Sequence, residues 1–115
     1  LPPYAYAVIV TRGHRHDLDA LRALAARDLR YLGLIGSRAK VSRIFEALTD
    51  ESMPAECLRR VHAPIGLDIG AVTPQEIAVS ILAELIAVKY GKAGHDEAEA
   101  TVRSLRWTPK SLETR

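Results

Sequence analysis

The residues of this chain best able to do chemistry lie where apolar runs break into polar turns. The stretch Tyr31-Leu-Gly-Leu-Ile-Gly-Ser-Arg-Ala-Lys40 ends an apolar strand at Ile35, loosens the backbone at Gly36 and opens a helix that Ser37 can cap. The unpaired N–H groups of a first helical turn point at whatever sits above the strand, which is the layout of an anion-binding turn. Arg38 and Lys40 sharpen that reading. A first turn favours acids, and each basic residue there opposes the helix dipole at a cost of about 0.3–1 kcal/mol. A phosphate would be the missing counterion; the alternative is that both side chains point to solvent or pair with an acid such as Asp68.

Two further turns carry polar candidates. In Thr11-Arg-Gly-His-Arg-His-Asp17, Thr11 ends a strand and points into the crevice above the sheet. His14 and His16 could ligate a metal, but such a site needs three or four converging donors and only Asp17 is near in sequence. They read better as loop residues that hydrogen-bond a ligand or the turn. In the third turn Asp68 could orient a ligand hydroxyl or a basic group, and Gly66 and Gly70 serve backbone conformations that other residues resist. Ser80 and Glu84 form either a buried polar stripe or a solvated helix face. No Ser-His-Asp or Cys-His spacing supports a nucleophile, and the single Cys57 reads as a small packed side chain.

The elements that must position these turns alternate. Tyr6–Val10 is a β-branched apolar run, expected to be a strand buried on both faces. A helix over Asp17–Arg27 and a second strand over Tyr31–Ile35 complete a βαβ unit, so the strands should be parallel. Val41, Ile44, Phe45 and Leu48 form the apolar stripe of a helix over Arg38–Leu48. A short helix over Pro54–Arg60 and a short strand from Val61 follow. Thr73-Pro-Gln-Glu76 is a capping box with proline at the first helical position, and Val72 with Ile77 supplies a hydrophobic staple. The helix it opens runs to Tyr90 and stops at Gly91. It is apolar over most of its circumference, so it should pack on two sides, one of them a second helix, a further part of the domain or a partner subunit. A last amphipathic helix is expected over Asp96–Leu105, then a loose tail near Trp107.

At 115 residues and net charge +2, with acids and bases interspersed, the chain reads as one α/β domain: a Rossmann-like parallel sheet with flanking helices. Nothing suggests a nucleic-acid or membrane partner, and a cytoplasmic location is the default. Leu1 in place of Met suggests a fragment or a processed product.

The stretches Val8–Asp17, Tyr31–Lys40 and Pro64–Glu84 resemble the C-terminal Rossmann-type domain of the XdhC/CoxI family, over about residues 6–91; residues 92–115 are an extension without a family pattern. The resemblance implies an accessory protein that matures xanthine dehydrogenase and related molybdenum hydroxylases, binding the phosphate-bearing molybdenum cofactor (molybdopterin) and delivering it to the client enzyme. The Gly-x-Gly-x-x-Gly turn that normally opens the family's domain has no counterpart here, so the chain resembles its second half. The binding rim would comprise Thr11, His14, Asp17, Gly36, Ser37, Arg38, Lys40, Gly66, Asp68 and Gly70. The edge of such a half needs cover, and a homodimer is expected. Two other readings stand beside the non-catalytic one: an NAD(P)-binding oxidoreductase or nucleotide-sensing module, and an oligomerisation or scaffold half-domain.

Overall fold

A computed structural model describes residues 4–10, 14–92 and 103–106. The order is β1 (Tyr6–Ile9), α1 (His14–Leu24), β2 (Tyr31–Leu34), α2 (Arg38–Asp50), α3 (Ala55–Arg59) and α4 (Pro74–Lys89). β1 and β2 pair in parallel, Tyr6 beside Tyr31 and Ile9 beside Leu34, as a βαβ unit requires. A third segment adds to the other side of β2. His62 N donates to Leu32 O at 2.8 Å, Leu34 N to His62 O at 3.0 Å and Ile65 N to Leu34 O at 3.2 Å.

The sheet separates two apolar clusters. On one face Ile9, Leu32 and Leu34 meet Leu21 and Ala25 of the α1 region, Val41, Ile44, Phe45 and Leu48 of α2, and Leu58 of α3. The α2 residues are the stripe expected from their spacing, and all four are buried. On the other face Tyr31 and Ile65 pack with Ala87 and Val88 of α4, flanked by Ile35, Ile81 and Leu85.

Three expectations change. β1 is not buried on both faces: Ile9 is buried, whereas Tyr6, Val8 and Val10 are exposed, because α4 reaches over β2 and leaves the outer row of β1 uncovered. α1 begins at His14 rather than Asp17. The C-terminal end of the expected Asp96–Leu105 helix is not helical. Ser104 forms an antiparallel bridge with Leu67, Leu105 N donates to Gly66 O and Asp68 N to Arg103 O, both at 2.9 Å. The rest of that segment, the Trp107 tail, Thr11 and the side chain of His14 lie outside the described residues.

α4 starts where the sequence places it. Thr73 Oγ1 accepts from Glu76 N at 3.1 Å, and Glu76 Oε1 accepts from the amides of Thr73 and Val72 at 3.0 Å each. Those amides hold the Glu76 carboxyl below its ordinary value of 4.5. Gly91, at φ +73°, ends the helix. Its rotation about its own axis is the surprise. Ser80 and Glu84 are buried at 2% and 0% exposure, while Val79, Leu82 and Ile86 stand outward at 57%, 59% and 58%.

Candidate functional site

The rim at the carboxyl ends of the strands is built first by the turn after β2. Ser37 caps α2 as its sequence suggests, its Oγ accepting from Lys40 N at 3.2 Å. The amides of Arg38 and Ala39, in the first turn of the helix, have no carbonyl below them in α2. The first turn holds no acid, and Ser37 and Arg38 are exposed. Arg38 is the first residue of α2 and carries an exposed basic side chain there.

Lys40 behaves differently. Its ammonium turns back to Ile35 O at 3.3 Å and pairs with Asp17, a fully buried acid in the first turn of α1. The acid that answers Lys40 is thus Asp17 and not Asp68, which is exposed. Asp17, Gly36, Ser37 and Lys40 form one cluster that ties α1 to the β2 turn. Gly36 belongs to it for a reason of space. Its φ is not positive, but a Cβ there would lie 2.9 Å from Lys40 Cδ, so the lysine stem lies where a side chain would stand.

The second part of the rim, Gly66 to Gly70, is set by α4. Gly66 at φ +111° leaves no room for a side chain: a Cβ would meet Ser80 Oγ at 2.4 Å. That closeness lets Ser80 Oγ donate to Leu67 O at 2.7 Å and Ser80 O accept from Leu67 N at 3.2 Å. One turn on, Glu84 Oε1 accepts from Gly66 N at 3.3 Å and from the Tyr31 hydroxyl at 2.6 Å. His62 Nδ1 lies 3.5 Å from the same oxygen, and its ring stacks on Tyr31 with centroids 4.6 Å apart. Burial, then the neighbouring Glu84, pushes the Tyr31 hydroxyl well above its ordinary range. Gly33 makes this possible, since a Cβ there would collide with Ile65 Cδ1 and with the Tyr31 ring edge and hydroxyl. Gly66 is therefore buried behind the loop, whereas Asp68 and Gly70, at φ +76°, face solvent.

Sequence reasoning named the rim but passed over Tyr31 and His62, the two aromatic groups that meet Glu84. A histidine within the apolar Val61-His62-Ala63 run was the available signal, because a buried imidazole needs a partner. His16 is exposed on α1. Among the described residues no helix is long and apolar enough to cross a membrane.

Residues 2–85 match the family model of the XdhC Rossmann domain. The chain is 40% identical over 92 residues to the uncharacterized protein YqeB of Escherichia coli K12, a match covering 80% of this chain and 17% of that protein. It is 36% identical over 87 residues to a probable xanthine dehydrogenase subunit of Bacillus subtilis 168, covering 76% of this chain and 24% of that one. A crystal structure described as a xanthine dehydrogenase from Bacillus halodurans superposes with a TM-score of 0.66 at 31% identity, over 81% of this chain and 26% of the other. The chain thus spans about a quarter or less of the length of these relatives. The parallel βαβ unit, the capped turn after β2 and the family match together show that this chain belongs to the XdhC family, as a Rossmann-type domain.

Proposed function

We propose that this domain serves an accessory protein that binds the molybdenum cofactor and assists its insertion into a xanthine dehydrogenase-type molybdoenzyme. Family membership and the name of the Bacillus subtilis relative support the client class. The observation that carries the ligand class is the α2 N-terminus. Ser37, the Arg38 and Ala39 amides and the Arg38 guanidinium supply donors, without an acid in the first turn, and that donor set fits a phosphate. The cofactor, when bound, would supply the phosphate held there and the molybdenum that the client uses. Everything else falls to the chain. The α2 turn binds and orients, Lys40 neutralises Asp17 beneath it, and Gly66–Gly70 forms the neighbouring wall. In this reading the role of the rim is holding rather than chemistry.

In this reading the apolar faces left open on β1 and α4 dock protein, a second copy of the chain among them, and the site of action is the cytoplasm. A nicotinamide dinucleotide is the second reading, favoured by one observation: the α2 N-terminus sits at the carboxyl end of a parallel strand, where such ligands also bind.

Anaerobic titration of molybdenum cofactor, and separately of a nicotinamide dinucleotide, at two salt concentrations decides between them. Arg38→Gln should weaken cofactor binding by about 1–3 kcal/mol, mainly at low salt. Gly36→Val should weaken it at both, because the added methyls displace Lys40 from the turn and break its ion pair with Asp17. Binding that neither substitution alters removes this turn from the site; tighter binding of the dinucleotide favours the second reading.

A further inference from the structure

The Gly66–Gly70 wall of the rim is held from two sides, and we propose that residues 103–106 are the strap that fixes its outer edge and sets Arg103 against Asp68, so that an anion bound at the rim meets a neutralised wall. This rests on the reading above that the rim holds an anionic cofactor, and adds a second segment and a further basic residue to that site.

The wall stands beside the α2 turn. Ile65 N donates to Leu34 O, so the chain leaves the sheet at Gly66 next to the place where β2 leaves it at Ile35 and Gly36. α4 holds the inner side of the wall through Ser80 on Leu67 and Glu84 on Gly66. Among the described residues the hydrogen bonds from α4 to this segment end at Leu67. Beyond it Asp68, Ile69 and Gly70 are exposed, and glycines at positive φ, Gly66 and Gly70, bracket the tip. Such a tip has conformational freedom that some other contact must remove. The strap supplies it. Asp68 N donates to Arg103 O and Leu105 N to Gly66 O, both at 2.9 Å, and Arg106 anchors the far end of the strap by donating to Arg59 O at the end of α3. The strap lies outside residues 2–85, the span of the family match.

Charge gives the strap its second role. Leu67 bridges Ser104 in antiparallel sense, which sets Asp68 directly opposite Arg103. Residues opposed in this way share one face, with Cβ atoms about 4.5–5.5 Å apart, and unlike charges there attract. Asp68 is a liability beside a bound phosphate, because its carboxylate repels the ligand. Arg103 offsets that charge, as Lys40 offsets Asp17 beneath the α2 turn. Each of the two acids of the proposed rim is then answered by a basic residue from a different element.

Amide hydrogen exchange of the full chain without ligand, followed by the cofactor titration at two salt concentrations, tests both roles. Leu105→Pro removes the N–H that bonds Gly66 O, and Leu105→Ala keeps it. Leu105→Pro should speed exchange of the Asp68 amide about tenfold or more and weaken cofactor binding at both salt concentrations, whereas Leu105→Ala should leave both as they were. Arg103→Gln should weaken binding about threefold at low salt and should have no effect in an Asp68→Asn background. Unchanged exchange in Leu105→Pro overturns the strap as the tether of the wall. Faster exchange with unchanged affinity overturns its role at the site, while a loss of affinity in Arg38→Gln keeps the cofactor reading. An equal effect of Arg103→Gln with and without the Asp68 carboxylate overturns the neutralisation. A chain that binds no cofactor overturns that reading and the role of Arg103 together, and the exchange result still decides whether the strap holds the wall.

Discussion

α2 and α4 flank the same short sheet and solve opposite problems. α2 turns Val41, Ile44, Phe45 and Leu48 to the sheet and leaves Glu46 in water. α4 turns Ser80 and Glu84 to the sheet and leaves Val79, Leu82 and Ile86 in water. Burial of an aliphatic side chain is worth about 1.5–3 kcal/mol, so α4 forgoes several such contributions unless another surface supplies them. Beside the buried Ala87 and Val88, its orientation is fixed by polar keys: Ser80 on the Leu67 backbone, Glu84 on Tyr31 and Gly66. A helix held inward by hydrogen bonds keeps its outward apolar row available, as the proposed docking of protein on this face requires.

The largest effect should come from removing the deeper key. Glu84→Ala leaves the Tyr31 hydroxyl and the Gly66 amide without their acceptor in a buried site, and should cost about 3–5 kcal/mol in urea unfolding. Glu84→Gln keeps an acceptor oxygen and should lose less than half as much; equal losses would mean that charge, not hydrogen bonding, seats the helix.

Next comes the direct contrast of apolar truncations. Ile44→Ala in α2 should cost about 2–5 kcal/mol, whereas Leu82→Ala in α4, measured at a concentration where the chain is monomeric, should stay within about 0.5 kcal/mol. Similar losses at the two sites would erase the distinction between the helices.

A smaller effect is expected behind the rim. Gly66→Ala forces a side chain into a left-handed conformation and against Ser80, and should cost about 1–3 kcal/mol from backbone strain. Combining it with Ser80→Ala should recover part of the loss by removing the clashing hydroxyl.

The smallest concerns the start of α4. Glu76 has its folded value lowered, so its contribution is present above pH 4.5 and is lost as the pH falls through the lowered value. Acid titration of helicity should show that loss, and Glu76→Gln should remove the slope from this region.

Much of this was legible from local pattern. Alternating apolar runs gave the βαβ unit, Ser37 the α2 cap, and Thr73 with Glu76 the start of α4, because each depends on residues close to one another in the chain. The rotation of α4 was not legible. Its circumference is apolar enough that periodicity chooses no inward face; the choice is made by Tyr31, His62 and Gly66, which lie at least 14 residues earlier in the chain than Ser80. The Asp17–Lys40 pair escaped for the same reason. The exposed row of β1 reflects how far α4 reaches, which no strand pattern encodes.

Hydroxyl-radical footprinting over a dilution series tests most directly the claim that α4 keeps its polar side in and its apolar side open. Leu82 and Ile86 should be oxidised at high dilution and become protected as concentration rises, while Tyr31 stays protected throughout. Oxidation of Tyr31 together with constant protection of Leu82 at every dilution would contradict the account, since α4 would then be rotated with its apolar row on the sheet.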